Sequence, residues 1–364
     1  MAAVFDRITI DGTTLTKGEV LRHFQKLDAD PLTHNWAAPL HALVHTLITE
    51  PDAPLTAHTS GTTGDPKPIA IPRTDLIASA RLTAQAFRLH KGDRALLCLP
   101  GEFIAGKMML VRALVIGLDL HLIDPRGSIL DHLNTTDRFL FTAMVPLQLH
   151  RAIQEDQARV EEQFEHILLG GGPTSDALIE DLQPLRTRVW QGYGSTETVT
   201  HVALRALNGP AREPHFTAIG DITFEQDERG CLIAHTPHLS VKKHITNDLV
   251  ERIDERRFIW LGRADNVILS GGKKIFPEQL EARTAGVIPY AHYFTAYADD
   301  RLGQAVMLVL ETEGPSDEVL PDVLKKVTEV LETHELPRRV TAVRRFQRTS
   351  GGKVQRGLTL KGIV

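Results

Sequence analysis

The sequence has few cysteines, no long hydrophobic run and no large excess of one charge. Two cysteines, Cys98 and Cys231, are too few for a disulfide framework and favour a reducing compartment. The longest apolar stretch, residues 108–122, is interrupted by charged side chains and is too short to cross a bilayer. The first 22 residues lack the apolar core of a signal peptide. We therefore expect a cytoplasmic protein without membrane insertion.

The composition is that of a globular protein of more than one domain. Hydrophobic residues make up 42% and charged residues 24% of the chain, and the net charge of −5 gives no electrostatic reason to expect a nucleic acid partner. A length of 364 residues exceeds the size at which one core usually stops growing, so we predict two domains. We interpret most of the 17 histidines as surface or core-edge residues. The sequence contains no internal repeat and no low-complexity segment.

Residues 59–67 combine hydroxyl side chains, glycines and a lysine, in the order TSGTTGDPK. Glycine lets the backbone turn tightly, so that successive N–H groups and hydroxyls can surround a phosphate, while Lys67 adds a positive charge. The spacing differs from that of a Walker A loop. The alternative interpretation is a hairpin turn or linker rich in serine, threonine and glycine.

Three later segments suit the same kind of ligand. Residues 191–197 (QGYGSTE) offer an aromatic ring, hydroxyls and a carboxylate. Residues 246–248 (TND) offer a carboxylate for a ribose diol, and residues 262–266 (GRADN) follow with a basic residue. Residues 350–353 (SGGK) place a lysine in a glycine-containing segment near the end of the chain.

Together the four segments resemble the adenylate-forming superfamily of acyl-CoA synthetases, luciferases and peptide-synthetase adenylation domains. They occur in that family's order and extend from about residue 55 to residue 356. The resemblance implies an enzyme that joins a carboxylate to the α-phosphate of ATP and then passes the acyl group to a thiol. ATP, Mg²⁺ and CoA are the cofactors it implies.

The resemblance also assigns roles to individual residues. Phosphate contacts fall on Thr59, Ser60, Gly61, Thr62, Thr63, Gly64 and Lys67. Contacts with adenine and ribose fall on Gly170, Gly171, Gly172, Tyr193, Gly194, Asp248 and Arg263. Catalytic contacts fall on Thr196, Glu197 and Lys353. Glu197 is also the implied Mg²⁺ ligand, because Mg²⁺ prefers carboxylate and phosphate oxygens.

Two further roles concern movement between the half-reactions. Asp265 matches the family's hinge residue, about which the small domain rotates. That rotation would bring residues 270–274 (SGGKK) to the site for thiol attack. Each assignment has a plain structural alternative: a surface carboxylate for Glu197, a strand-to-helix turn for residues 170–172, a turn aspartate for Asp248, an exposed lysine for Lys353 and a hairpin turn for residues 270–274.

The fold class that we predict is α/β. Strands and helices alternate after the glycine-rich segment, which argues for a sheet with ligands at the strand ends. The predicted strands include residues 94–99, 118–123, 139–145 and 166–169, and the predicted helices include 75–87 and 103–116. We predict a large α/β domain over residues 1–262, with a truncated N-terminal subdomain, and a small, mobile α+β domain over residues 263–364.

The acid is indicated by a closer resemblance. Residues 99–114 (LPGEFIAGKMMLVRAL) and 196–205 (TETVTHVALR) are similar to the short o-succinylbenzoate–CoA ligases of menaquinone synthesis. Arg112 lies in a segment that is otherwise apolar, and a buried arginine without a partner is costly. Bidentate hydrogen bonding to a substrate carboxylate, which we call the clamp, would explain it. The alternative is an arginine that is paired within the protein for structural reasons. Thr200, His201 and Lys107 are further candidates for the acyl pocket, and Arg205 is a weaker one.

We therefore predict small-molecule partners, namely an aryl carboxylic acid and CoA, and allow for a homodimer. Two other functions stay open at this point. One is adenylation of another aryl or amino acid for transfer to a carrier-protein thiol. The other is an inactive ATP-binding regulator.

Overall fold

The computed structural model describes residues 2–58, 67–313, 316–349 and 352–361. Its strands in chain order are β1 (Arg7–Ile10), β2 (Thr13–Thr16), β3 (Leu55–His58), β4 (Pro68–Ile71), β5 (Arg94–Leu97), β6 (Asp119–Leu122), β7 (Phe139–Met144), β8 (Phe164–Leu169), β9 (Arg188–Gly194), β10 (His201–Ala206), β11 (Phe216–Ala218), β12 (Thr223–Gln226), β13 (Cys231–His235), β14 (Lys243–Arg252), β15 (Arg257–Arg263), β16 (Ile268–Ser270), β17 (Lys273–Ile275), β18 (His292–Asp299), β19 (Gly303–Glu311) and β20 (Arg339–Val343). The α-helices are α1 (Lys17–Ala29), α2 (His34–Thr49), α3 (Arg73–Phe87), α4 (Ile104–Arg112), α5 (Pro146–Gln163), α6 (Asp176–Asp181), α7 (Pro277–Thr284), α8 (Ser316–Val330) and α9 (Arg356–Lys361).

One mixed sheet contains most of these strands. Within the described ranges it has 13 strands in the order β12-β13-β14-β15-β11-β10-β9-β8-β7-β5-β6-β1-β2. Strands β9, β8, β7, β5, β6 and β1 run parallel, and the pairs from β9 to β12 are antiparallel. The predicted α/β class and the four predicted strands are confirmed. The antiparallel half was not predicted.

The helix predicted over residues 103–116 is shorter in the structure. Helix α4 ends at Arg112, and Ala113–Gly117 continues as a π-helical turn. Gly117 then takes φ +84°, a left-handed conformation that suits glycine and ends the helix before β6. The π turn therefore begins directly after the buried arginine, and such turns are frequent at functional sites.

The first 50 residues supply the far edge of the large sheet. Strand β1 pairs in parallel with β6 and antiparallel with β2. Phe5 and Phe24 are fully buried in the main core. We did not predict this β-hairpin from the sequence. The truncated N-terminal subdomain stays a prediction.

A second sheet follows the large one in the chain. Strands β17, β16, β19 and β18 pair in that order, and β20 pairs with β19 in parallel. Their core includes Ile268, Phe294, Leu308 and Val327. This arrangement has the α+β character that we predicted for the end of the chain, while the boundary at residue 262 stays a prediction. Across the described residues, no helix is both long and apolar enough to cross a membrane.

Candidate active site

Strands β3 and β4 form a hairpin around the predicted phosphate loop. His58 at the end of β3 pairs with Pro68 at the start of β4, so the two ends of the connecting segment lie side by side. Thr59, Ser60, Gly61, Thr62, Thr63 and Gly64 lie outside the described residues. Lys67 is exposed at the start of β4. Thr196 Oγ1 donates a hydrogen bond to the His58 carbonyl at 3.2 Å, which brings the base of the hairpin to the motif of residues 191–197.

The turn between β9 and β10 is tightly constrained. Thr198 Oγ1 accepts from the Ser195 N–H at 2.8 Å and lies 2.8 Å from the Thr200 carbonyl. Val199 has φ +65°, which is rare and strained for a β-branched residue. A Cβ on Gly194 would lie 2.0 Å from the Thr200 carbonyl oxygen, so only glycine fits there. This packing fixes the direction of Thr196 and Glu197.

Tyr193 of β9 meets Asp248 and Arg263, which are paired on the neighbouring strands β14 and β15. The Tyr193 hydroxyl donates to Asp248 Oδ2 at 2.6 Å, and Arg263 Nη1 lies 3.6 Å from Asp248 Oδ1. Burial, followed by the charge of Asp248, raises the pKa of Tyr193 well above its ordinary value, so the phenol stays protonated as a donor. Arg263 also pairs with Asp265 at 3.2 Å. The structure thus brings the predicted ribose ligand, its basic partner and the predicted hinge residue together.

Lys353 lies beside this group although it is 90 residues later than Arg263. Burial is the first cause that lowers its pKa, Arg263 adds to the lowering, and the charges of Asp248 and Glu197 oppose it. Its backbone is fixed by a short turn, in which Thr349 N–H donates to the Lys353 carbonyl at 2.8 Å. The predicted catalytic lysine is therefore partly buried next to the predicted nucleotide ligands, which excludes the alternative of a fully exposed lysine.

Glu197 is exposed, and no hydrogen bond or ion pair joins its carboxylate to the parts of the chain that the structure covers. The described residues contain no cluster of three or more histidine, cysteine or acidic side chains that could hold a metal. An all-protein metal cage is therefore absent from them. Mg²⁺ commonly binds through one or two carboxylates together with substrate phosphates, and a single unpaired Glu197 fits that mode.

His41 and His45 have the one-turn spacing of helical metal ligands, but they face different partners. His41 Nδ1 lies 2.6 Å from Asp28 Oδ2, and His45 Nδ1 lies 3.9 Å from Glu50 Oε1. Asp28 also contacts His34 at 2.7 Å. These histidines belong to the surface of α1 and α2, as we interpreted most histidines to do.

The glycine segment, residues 170–172, directly follows β8 at the carboxyl ends of the parallel strands. Gly171 has φ +85°, and no atom lies within 4 Å of the position that a Cβ would take on Gly170 or Gly172. The segment therefore leaves open space for a flat ligand. Gln191 Nε2 lies 3.4 Å from the Gly172 carbonyl, and Arg205 donates to Gln191 at 2.6 Å. The hydrogen bonds of Arg205 thus lead toward the glycine segment and not toward Arg112.

Arg112 is one of the largest fully buried side chains among the described residues. It is 2% exposed, and its guanidinium contacts the Thr83 hydroxyl at 3.2 Å and the Met109 sulfur at 3.5 Å. Within the described residues no carboxylate forms an ion pair with it. Burial lowers its pKa to about 10, which still leaves it charged at neutral pH. The structure confirms that the arginine is buried, and its hydrogen-bond partners among the described residues are one hydroxyl and one sulfur atom.

Polar side chains of α3 and of the start of β10 lie near Arg112, since Thr83 contacts its guanidinium and its charge acts on His201. We call Ser79, Thr83, Arg112, Thr200 and His201 the arginine cluster. Ser79 and Thr200 are joined through their hydroxyls at 2.8 Å. His201 is buried, its Nε2 has no hydrogen-bond partner, and burial and the Arg112 charge hold its pKa well below its ordinary value. A neutral imidazole and a guanidinium without a carboxylate partner among the described residues thus lie together in one buried place.

Sequence reasoning missed Ser79 and Thr83. They lie four residues apart in α3, and this spacing of two small hydroxyls on one helix face was the available signal. Lys107 was predicted near the acyl pocket, but its Nζ donates to the Thr56 carbonyl of β3 at 3.1 Å. The structure therefore attaches Lys107 to the hairpin that carries the glycine-rich loop.

Residues 6–227, more than half of the chain, match the family model described as AMP-binding enzyme. The chain belongs to the AMP-binding enzyme family. This confirms the predicted superfamily, and two of the four motifs from which we predicted it, residues 59–67 and 191–197, lie in the matched region.

Relatives of this family member carry a consistent name. It is 29% identical over 332 residues to a probable 2-succinylbenzoate–CoA ligase of Mycobacterium tuberculosis, with 85% of this chain and 84% of the relative covered. It is 26% identical over 378 residues to the 2-succinylbenzoate–CoA ligase of Bacillus subtilis, with 94% of this chain and 76% of the relative covered.

Solved structures of the same architecture include both close and distant sequences. An acyl-CoA synthetase (AMP-forming)/AMP-acid ligase II-like protein from Dyadobacter fermentans is 36% identical, with a TM-score of 0.58 over 90% of this chain and 95% of that one. The O-succinylbenzoate coenzyme A synthetase of Bacillus subtilis, in complex with ATP and magnesium ion, has a TM-score of 0.77 over 98% of this chain and 97% of that one. At 19% identity the latter likeness shows the fold.

Proposed function

We propose that this AMP-binding enzyme is an AMP-forming acid–thiol ligase that converts o-succinylbenzoate to o-succinylbenzoyl-CoA. The acid carries two carboxylates, one aromatic and one aliphatic. Adenylation activates the aliphatic group, so the aromatic carboxylate needs a fixed counter-charge inside the pocket. The names of the relatives support this substrate, as does a structure of the Bacillus subtilis synthetase in complex with the acyl-adenylate OSB-AMP.

The observation that carries the proposal is the arginine cluster. A buried guanidinium without a carboxylate partner is destabilising, because its desolvation is not repaid by an ion pair. A dianionic acid supplies the missing partner, and the planar guanidinium matches a carboxylate in two parallel hydrogen bonds. The neutral His201 imidazole adds no charge that would compete for the anion. An acid with a purely apolar tail would leave Arg112 unpaired.

Adenylation needs two anions to approach each other. An oxygen of the aliphatic carboxylate forms a bond to the α-phosphorus of ATP, and the bond to the pyrophosphate oxygen breaks. Lys353, beside Arg263, Asp248 and Glu197, is placed to reduce the repulsion and to stabilise the charge that develops on the transferred phosphate. Asp248 would accept hydrogen bonds from the ribose diol. Mg²⁺ bound by Glu197 and the phosphates would offset further negative charge.

Transfer to CoA is the second half of the proposal. Residues 270–274 form the turn between β16 and β17, where Gly271 and Gly272 have φ +55° and +82°. Lys273 and Lys274 are exposed at this turn. Glycines allow a thin pantetheine arm to approach the backbone, and the lysines suit the phosphates of CoA. The change between the two half-reactions would be a rotation at Asp265.

Two alternatives remain distinguishable by experiment. A carrier-protein thiol shares the pantetheine end of CoA, and an inactive regulator would bind ATP without pyrophosphate release. The partial burial of Lys353 next to Asp248 supports an active enzyme. A cytoplasmic location, supported by two buried free thiols, and a possible homodimer stay predictions.

The first test is pyrophosphate release from ATP and Mg²⁺ with a panel of acids, with and without CoA. We expect release that depends on o-succinylbenzoate and continuous turnover once CoA is present. Release with another acid would retain the mechanism and reject the substrate. No release with any acid would favour the regulator.

The second test separates the two halves of the site. Arg112→Ala should raise KM for o-succinylbenzoate by about tenfold or more, and should leave KM for ATP unchanged, since one charged hydrogen-bonding contact is lost. Asp248→Asn is the matched control and should raise KM for ATP alone. Equal effects of Arg112→Ala on both substrates would contradict the clamp.

A further inference from the structure

Arg356 begins α9 three residues after Lys353, and its guanidinium contacts two other elements. Nη2 lies 2.7 Å from Glu281 Oε2 of α7, and Nη1 donates to the Phe294 carbonyl of β18 at 3.0 Å. Nη2 also lies 3.7 Å from Glu278 Oε1. Its side chain is 20% exposed, so these contacts are largely shielded from water. One arginine therefore joins the segment that carries Lys353 to the body of the small sheet.

The two glutamates are themselves fixed. Glu281 Oε1 accepts from the Phe294 N–H at 2.9 Å, and Glu278 Oε1 accepts from the Asn266 side-chain amide at 2.5 Å. Asn266 directly follows the predicted hinge residue Asp265. A continuous set of contacts thus runs from the residue after the hinge, through α7, to the segment of Lys353.

The predicted boundary between the two domains, at Gly262, packs closely against Glu278. A Cβ on Gly262, the last residue of the predicted large domain, would lie 2.6 Å from Glu278 Oε2. That oxygen is buried and has no hydrogen-bond partner in the structure. Glu278 therefore contacts the predicted boundary on one side and the Arg356 guanidinium on the other.

Two hydrogen bonds near Lys353 are local, whereas Arg348 of the same hairpin pairs with Glu311 of β19. Lys353 N–H donates to the Thr349 hydroxyl at 3.2 Å, and Gln355 N–H donates to the Gln347 carbonyl at 2.8 Å. These bonds close a hairpin but do not attach it to α7. Within residues 352–361 as described, the ion pairs to another element are made by Arg356.

We propose that Arg356 is a positioning residue that holds Lys353 in the site during adenylation. The inference rests on the proposed function of Lys353. Three residues span at most about 10 Å, so a shift of Arg356 moves Lys353 with it. Glu281 fixes the guanidinium, and Glu278 with Asn266 connects it to the hinge. Arg356 would therefore act in the half-reaction that needs Lys353, and not in thiol transfer.

The test measures the two half-reactions separately in Arg356→Gln. Formation of acyl-adenylate from ATP and o-succinylbenzoate should fall by about 10²-fold, the effect of misplacing a reacting group by about 1 Å. Formation of acyl-CoA from supplied o-succinylbenzoyl adenylate and CoA should stay within about threefold of the parent, since a group not used in a step does not change its rate. Arg356→Lys keeps the charge but not both contacts, and should retain more adenylation than Arg356→Gln.

The matched control is Arg283→Gln in the same helix α7. Arg283 pairs with Glu335 at 2.6 Å, so this variant also loses a partly buried ion pair of the small domain. It should keep both half-reactions. If Arg283→Gln and Arg356→Gln lose adenylation equally, or if Arg356→Gln loses both half-reactions equally, the effect is general destabilisation and the proposal is wrong.

Hydrogen exchange decides the inference without any substrate. In Arg356→Gln the amides of residues 353, 355 and 359 should exchange about tenfold faster, because local opening becomes easier, while those of β19 should not change. Unchanged exchange at these three amides would overturn the proposal. If the parent enzyme releases no pyrophosphate with o-succinylbenzoate, the proposed function fails, and exchange still shows whether Arg356 holds this segment.

Discussion

Arg73 and Arg112 are both buried, but their guanidinium groups differ in the number and kind of hydrogen-bond partners. Arg73 is 9% exposed, and its guanidinium donates to four carbonyl oxygens, which belong to Thr46, Leu47, Glu50 and Ala53. Three of these carbonyls lie at the C-terminal end of helix α2, where the backbone supplies few donors, and Ala53 lies in the turn that follows. Arg73 is a structural residue that joins the first turn of α3 to the end of α2.

Arg112 is more deeply buried and has fewer partners. Within the described residues its hydrogen-bond contacts are one hydroxyl and one thioether sulfur, and its charge helps to lower the pKa of His201. Burial alone therefore does not separate a structural arginine from a substrate-binding one. The number and kind of acceptors around the guanidinium do, because a buried positive charge without a carboxylate or several carbonyl oxygens lacks the compensation that an anionic ligand can supply.

The largest effect on stability that we expect is for Arg73→Met. This change removes four hydrogen bonds. The Leu47 and Ala53 carbonyls lose the donor that Arg73 supplied, while those of Thr46 and Glu50 keep a backbone donor, so the free energy of unfolding should fall by about 2–4 kcal/mol. Urea unfolding followed by circular dichroism would measure it. A loss below about 0.5 kcal/mol, the range of ordinary surface substitutions, would remove the contrast between the two arginines.

We expect Arg112→Met, unlike Arg73→Met, not to lower the free energy of unfolding. The substitution removes a buried charge without leaving a carboxylate unpaired, so the free energy of unfolding should be unchanged or higher by about 1 kcal/mol. The same urea experiment measures it beside Arg73→Met. A loss as large as that of Arg73→Met would mean that Arg112 is structural, which contradicts the clamp.

A smaller effect is expected in the pH dependence of two ion pairs of the small sheet. Burial raises the pKa of Glu281 to about 7, although Arg356 opposes the rise. The stability linked to a raised carboxyl is present below its ordinary pKa and lost as the pH rises through 7. Removing Arg356 raises that pKa further. The deficit of Arg356→Gln in unfolding free energy should therefore widen by about 1 kcal/mol between pH 6 and 8.5.

Arg283→Gln provides the contrasting pH profile. Burial acts to raise the pKa of Glu335, but hydrogen bonds from Arg283 and the Glu332 backbone lower it overall. Its contribution is present above the ordinary carboxyl pKa and lost only as the pH falls below it. The deficit of Arg283→Gln should be constant between pH 6 and 8.5. A widening deficit in both variants would exclude Glu281 as the cause.

The parallel strands and the motif order could be predicted because their signals are local. Short apolar runs between amphipathic helices indicate buried parallel strands, and four motifs in the right order indicate the family. The antiparallel half was not predicted, since strands such as β12 and β14 bury one residue each and therefore lack a continuous apolar run. Ser79 and Thr83 were missed because the sequence does not indicate which hydrogen-bond partner a hydroxyl in a helix will have.

The sequence by itself determined the family, the chemical types at the site and the presence of a charged residue in an apolar helix. Only the tertiary structure decided which charges are paired. Residues 193, 248, 263 and 353 are far apart in the chain, and their meeting depends on strand register and on the docking of the last segment. Likewise, Arg73 and Arg112 are the same residue type in similar helices. Their difference arises from which backbone carbonyls the fold brings within hydrogen-bonding distance.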